Sequence, residues 1–96
     1  MIDRVQLKHP QGKKATSMSR EKYELLKPEI LRYLRTTGNA TLSDLSRAIK
    51  KQLKTNKQSF QGSLAWHLEW VKLDLEARHL ISRVPNTSPQ EYMIVP

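Results

Sequence analysis

The segment from Ser63 to His79 carries apolar side chains on two opposite faces of one predicted helix, and this pattern limits the possible folds. At helical spacing, one face holds Leu64, Leu68, Val71 and Leu75, and the opposite face holds Trp66, Trp70, Leu73 and Ala77. A surface helix of a small domain normally has one apolar stripe. We therefore expect this helix to be covered on both sides: by other helices on the first face, and by an N-terminal hairpin, a C-terminal hairpin or another chain on the second.

Charged side chains fill the two strips between these faces. One strip holds Glu69, Lys72 and Glu76, and the other holds His67, Asp74 and Arg78. The members of the first strip are spaced three and four residues apart, which suits ion pairing in solvent. By this count the predicted helix is net acidic, and we expect its histidines to be solvated.

A helix is predicted upstream, beginning at Ser19, which is a suitable N-cap. Apolar residues recur at helical spacing from Tyr23 to Leu34, and Gly38 can adopt the left-handed conformation that ends a helix. Pro28 lies inside this helix. Because proline removes a backbone donor, we predict a kink or a break near Lys27.

A second helix begins at the segment from Thr41 to Asp44, which matches the capping-box pattern. Leu45, Ile49 and Leu53 mark one apolar face of this helix. The polar residues 54–61 are predicted to form the turn that leads into the third helix.

Short strands are predicted at both ends of the chain. Residues 5–8 alternate apolar and polar side chains, residues 9–12 are typical of a turn, and residues 13–18 can return as a second strand. Residues 80–84 and 92–95 form another pair, joined by turn-forming residues. This element order is that of a winged helix-turn-helix domain. We predict one α+β domain over residues 1–96, with an N-terminal β-hairpin in 1–18, three helices in 19–79 and a two-stranded wing in 80–96.

The run from Trp70 to Ile81, Trp-Val-Lys-Leu-Asp-Leu-Glu-Ala-Arg-His-Leu-Ile, resembles the signature of a family of small bacterial proteins of unknown function. Residues 5–12, Val-x-Leu-x-His-Pro-x-Gly, and Lys22-Tyr23 are similar to that family too, so the resemblance covers most of the chain. It implies a winged-helix-like fold and assigns no biochemical role. Winged-helix proteins commonly have glycine before the Leu-Ile pair. Here the residue is His79, which tolerates a left-handed conformation better than most.

The chain is strongly basic, and its excess charge lies in one part of it. It has 17 Lys and Arg against 9 Asp and Glu, a formal net charge of +8. Residues 1–57 carry a net +9 and residues 58–96 a net −1. Such a balance favours a polyanionic partner, although it can also serve solubility alone. No helix combines strong amphipathicity with a basic polar face, so we predict no membrane partner.

The leading candidate site is a basic run in the second helix and the turn after it. It comprises Arg47, Lys50, Lys51, Lys54 and Lys57. We predict that this run binds double-stranded DNA, as a transcriptional regulator could, because in a docked winged helix this region lies near the phosphates. Further candidate contacts are Gln58, Ser59, Gln61, Ser63 and His67 at the start of the third helix, and Arg83 in the wing. The alternative is a solvated helix end, where lysine also suits the helix dipole.

The third helix argues against DNA, because a net acidic helix is poorly suited to a groove lined by phosphates. The alternative function is protein interaction, by homodimerisation or docking, through Trp66, Trp70 and Leu73. Tryptophan is enriched in binding hot spots. The same two indoles can instead fill the space under the N-terminal hairpin as part of the core.

No catalytic, metal or cofactor site is predicted. The chain has no cysteine, and its three histidines, His9, His67 and His79, are scattered. HExxH, P-loop and GxSxG patterns are absent from the sequence. We therefore predict a binding protein that is not an enzyme and has no small-molecule substrate. The lack of cysteine, of a signal peptide and of a long apolar run predicts a cytoplasmic location.

Overall fold

The computed structural model describes residues 3–96, so the first two residues of the predicted hairpin segment lie outside the described part. The elements are β1 Arg4–Gln6, β2 Ser17–Ser19, α1 Arg20–Thr37, β3 Asn39–Thr41, α2 Leu42–Thr55, α3 Leu64–Ala77, β4 Ile81–Arg83 and β5 Glu91–Ile94. The strands form a two-stranded sheet, β1-β2, and a three-stranded sheet in the order β3-β5-β4. The α+β class and the three helices are thus confirmed.

The N-terminal strands pair antiparallel, with Val5 opposite Met18. The predicted turn is present: the Gly12 amide donates to the His9 carbonyl at 2.9 Å, and Gly12 has a φ of +74° that suits glycine. The strands are shorter than predicted and the connection between them is longer. Beyond the paired strands, the Leu7 amide still donates to the Thr16 carbonyl at 3.1 Å, and Lys8 and His9 contact α3.

Helix α1 begins and ends where the sequence predicts. The Ser19 hydroxyl accepts a hydrogen bond from the Lys22 amide, and Gly38 caps the other end with a φ of +88°. Of the two outcomes predicted near Lys27, a kink or a break, the break is wrong, because α1 continues through Pro28. Pro28 lies on the exposed side of the helix, where water can solvate the carbonyl group that loses its helical partner.

Strand β3 was not predicted. It has only three residues, and Ala40 lies opposite Tyr92 of β5. Thr41 ends this strand and also caps α2: its hydroxyl accepts from the Asp44 amide, while the Asp44 carboxylate accepts from the Thr41 amide. The predicted capping box is therefore confirmed. Thr41 belongs both to the strand and to the capping box, so its sequence pattern indicates the helix start and not the strand.

The core lies between the three helices and the second sheet. Its buried apolar side chains are Leu7, Met18, Tyr23, Leu26, Ile30, Leu34, Ala40, Leu45, Ile49, Leu53, Leu68, Val71, Leu75, Ile81 and Tyr92. The first apolar face of α3 packs into this core through Leu68, Val71 and Leu75, as expected. The other sides of α3 define the candidate site.

Candidate functional site

One side of α2 presents a row of positive charge. Its buried residues Leu45, Ile49 and Leu53 face the core, which places the basic residues on the opposite side. The expectation that no helix combines strong amphipathicity with a basic polar face is therefore wrong for α2, whose apolar face is buried in the core. Arg47, Lys50, Lys51 and Lys54 are exposed there, and Lys57 is exposed in the turn that follows. We call Lys50, Lys51, Lys54 and Lys57 the lysine face.

The five basic residues differ in whether a carboxylate neutralises them. Arg47 donates to the Asp44 carboxylate at 2.6 Å. The pKa of Asp44 is held below its ordinary value by the hydrogen bond from the Thr41 amide and by Arg47. Among residues 3–96, no ion pair involves a member of the lysine face. These four charges therefore remain available to an external anion.

The turn between α2 and α3 exposes most of the other predicted contact residues. Gln58, Ser59, Gln61 and Ser63 are exposed. Ser63 also caps α3, since its hydroxyl accepts from the Trp66 amide at 3.1 Å. Lys22 of α1 supports the turn: its ammonium group donates to the Gln61 carbonyl at 2.7 Å and lies 5.2 Å from the centre of the Phe60 ring. No local pattern in the sequence indicates this role of Lys22.

His67 lies inside the protein, so the expectation that it is solvated is wrong. It is only 9% exposed, its Nδ1 lies 2.6 Å from the Ser63 carbonyl, and its ring packs edge-on against Phe60 and Trp66. Gly62 makes room for it, because a Cβ atom there would lie 3.3 Å from the imidazole. His67 thus orders the start of α3 and does not offer its ring to a ligand at the surface.

Arg83 extends from β4 and is exposed, but it already has a partner. Its Nε donates to the Glu76 carboxylate at 2.8 Å. This ion pair raises the pKa of Arg83 above its ordinary value, chiefly through the hydrogen bond with Glu76. The structure therefore ties Arg83 to α3, in contrast to the unpaired lysine face.

Asp74 of α3 is completely buried and joins three parts of the chain. Its carboxylate accepts from the Lys8 amide at 2.8 Å, from the Tyr23 hydroxyl at 2.6 Å and from Arg78 Nε at 2.8 Å. Burial, together with the hydrogen bond to Asp74, raises the pKa of Tyr23 to about 12. Asp74 thereby fixes the N-terminal segment and α1 against α3.

The predicted ion pairs in the opposite charged strip of α3 are confirmed, but the strip is largely buried and not in solvent as expected. Lys72 is 3% exposed; its ammonium group lies 3.1 Å from the Tyr92 hydroxyl, 3.2 Å from Glu69 and 3.6 Å from Glu76. Burial lowers the pKa of Lys72, but Tyr92 and the two carboxylates outweigh it and raise the pKa above its ordinary value. The strip is buried because the second sheet covers it.

Ion pairing and burial reduce the negative charge that α3 presents to solvent. Asp74 is bound by Arg78, and the Glu76 side chain, 7% exposed, is bound by Arg83 and Lys72. Glu69 is the remaining α3 carboxylate, 45% exposed and paired with Lys72. The sequence count treats all three carboxylates as surface charges. The outer side of α3 is therefore much less negative than the count indicates.

That outer side is apolar. Trp66 is 44% exposed, and Trp70 and Leu73 are half-buried. The Trp66 and Trp70 ring centres are 6.4 Å apart, and His9 of the N-terminal segment meets Trp70 edge-on at 6.5 Å. The N-terminal segment thus covers part of Trp70 and leaves Trp66 open. We call Trp66, Trp70 and Leu73 the tryptophan face.

No helix in residues 3–96 has the length and apolar character needed to cross a bilayer. No group of three or more histidine, cysteine, aspartate or glutamate side chains is arranged there to hold a metal ion.

Comparison with known proteins gives one match. Residues 4–92 match the model of a family described as "Family of unknown function (DUF6958)". No curated protein and no solved structure matches the chain. Since the match extends over nearly the whole sequence, this protein belongs to the family of unknown function DUF6958.

Proposed function

We propose that this protein is a winged-helix domain that binds nucleic acid through the phosphate backbone, in the cytoplasm and without catalysis. The element order from α1 to β5 supports the fold, because β3 between the first two helices pairs with the last strand of the C-terminal hairpin. This is the arrangement of strands and helices that winged-helix domains use. The lysine face then lies on the helix and turn that precede the helix usually placed in a groove.

The observation that carries the proposal is the lysine face itself. Its four ammonium groups are exposed and without a carboxylate partner in residues 3–96, in a chain with a net charge of +8. Lysines placed on phosphates release condensed counterions, so affinity depends steeply on salt. Burial of the α3 carboxylates supports the same proposal, since it removes most of the repulsion that the sequence predicted.

The triple variant Lys50→Gln, Lys51→Gln, Lys54→Gln tests this function. Losing three phosphate contacts should flatten the slope of log affinity against log salt by about 2 to 3, and weaken binding on the order of 100-fold at about 0.1 M salt. Fluorescence anisotropy with labelled oligonucleotides across a salt series measures both quantities. Glutamine keeps helix propensity, so α2 should persist.

A matched control removes three cations elsewhere: Lys14→Gln, Lys27→Gln, Arg35→Gln. Both triples lower the net charge equally, so the control reports the effect of overall charge alone. The lysine face is the binding surface if the first triple loses far more affinity than the second. Equal losses in both triples, or no binding by the unmodified protein at low salt, would exclude the assignment.

A second candidate function is homodimerisation or docking through the tryptophan face. Trp66, 44% exposed on an apolar helix side, is the observation that favours it. If copies associate there, sedimentation velocity at high micromolar concentration should give a dimer, and Trp66→Ala should give a monomer. A monomeric mass for the unmodified protein at that concentration excludes the dimer.

A further inference from the structure

We infer that the tryptophan face is a stacking platform for the bases of single-stranded nucleic acid. This inference rests on the proposed function and specifies the strand state of the ligand. The lysine face would hold the phosphate backbone, and Trp66 would contact an unpaired base.

The outward side chains of α3 lack the groups that read a duplex. Direct readout of the major groove relies mainly on arginine, lysine, asparagine and glutamine. From Leu64 to Ala77 the sequence has no arginine, asparagine or glutamine, and its one lysine, Lys72, is buried under the second sheet. An α3 of this composition can offer aromatic faces but few hydrogen-bond donors for base edges.

The aromatic groups on this side form a continuous array. Trp66 contacts Trp70, and Trp70 contacts His9, with ring centres 6.4 and 6.5 Å apart. Bases of any sequence stack on aromatic side chains, which is how many proteins bind single strands. Trp66 has the free surface that such a contact needs, whereas a base inside a duplex has both of its faces covered.

Positive charge lies at both ends of this array. At the start of α3, the ammonium group of Lys22 lies against the turn, 2.7 Å from the Gln61 carbonyl. At its end, a cleft of about 450 Å³ is lined by residues that include Lys8, His9, Lys13 and His79. Glu76 also lines this cleft, but its carboxylate is bound to Arg83. A strand lying along α3 would therefore meet cations on both sides of the tryptophans.

The same charges disfavour a second copy of the chain as the occupant. Each copy carries +8, so two copies repel each other, while a polyanion is attracted. Glu69, the α3 carboxylate with substantial exposure, is paired with Lys72 and adds little repulsion toward phosphates. Charge complementarity thus favours a nucleic acid strand on the tryptophan face.

The test compares one mixed-sequence oligodeoxynucleotide of about 12 nucleotides, a length within the usual site sizes, with the duplex of the same sequence. The single strand should bind more tightly at equal salt and should quench tryptophan fluorescence. Trp66→Ala should weaken single-strand binding about 5- to 100-fold without changing the salt slope, and Trp66→Phe should retain most of the affinity. Leu80→Ala, at another exposed apolar residue, is the control and should have no effect.

The possible failures are distinguishable. If single strand and duplex bind equally and Trp66→Ala changes neither affinity, the tryptophan face is not a stacking platform. The lysine face can still bind phosphates in that case. If Trp66→Ala removes a dimer in sedimentation but leaves nucleic acid affinity unchanged, the face is an interface between copies and the inference is overturned. If neither nucleic acid binds at low salt, the proposed function fails and the inference fails with it.

Discussion

Replacing Asp74 by asparagine is expected to destabilise the protein by about 2 to 4 kcal/mol, because it removes a fully buried acceptor of three hydrogen bonds and the countercharge of Arg78. The carboxylate accepts hydrogen bonds from the Lys8 amide, the Tyr23 hydroxyl and Arg78. Asparagine has one acceptor oxygen in place of two and turns two amide hydrogens toward groups that are themselves donors. Arg78 also loses its countercharge at a site where Asp74 is completely buried.

Urea unfolding monitored by circular dichroism measures this loss of stability. The matched control is Asp3→Asn, which removes a carboxylate that pairs with Arg20 at 2.7 Å but is largely exposed. Exposed pairs contribute roughly 1 kcal/mol or less, so the control should remain close to the unmodified protein. A similar, small effect of both substitutions would contradict the role given to Asp74 as the junction of three segments.

The helices could be predicted because their signals are local. Ser19, Thr41 and Ser63 each accept a hydrogen bond from an amide three residues later, and each marks the beginning of a helix. The lysine face belongs to the same class of prediction. Once Leu45, Ile49 and Leu53 define the buried side of α2, the basic residues between them must lie on the other side.

The features that escaped prediction depend on contacts distant in sequence. Strand β3 exists because Ala40 pairs with Tyr92, and both α2 and α3 separate these two residues in the sequence. Asp74 is buried because the Lys8 amide reaches it across 66 residues. A charge count assigns the carboxylate to solvent, since only Arg78 among its three partners lies near it in the sequence.

The predicted site residues also fall into two groups: those whose exposure follows from local periodicity, and those whose position depends on other contacts. The lysine face and the polar turn after it are exposed, as local periodicity indicates. His67 and Arg83 differ, because each is held by a group across a turn, which helical periodicity does not predict: Phe60 packs on His67, and Glu76 binds Arg83. The partial exposure of Trp66 also depends on how far the N-terminal segment extends along α3, which a helical pattern does not determine.

Replacing Lys72 by methionine alone is expected to destabilise the protein by about 3 kcal/mol, because it leaves a buried carboxylate without one of its two cations. Methionine fills a similar volume, so packing changes little. Glu76 keeps Arg83, but its second oxygen, Oε2, has no hydrogen-bond donor and lies 3.6 Å from the Lys72 ammonium group. Tyr92 and Glu69 lose their contacts with the same ammonium group.

The double variant Lys72→Met, Glu76→Leu should recover most of that loss. Replacing both partners of a buried ion pair by apolar side chains is often neutral, whereas removing one partner is costly. The released Arg83 is 55% exposed and can be hydrated in place. Urea unfolding of the unmodified protein, the two single variants and the double variant forms a double-mutant cycle. We expect strong coupling between Lys72 and Glu76. Additive losses would mean that the two side chains do not interact.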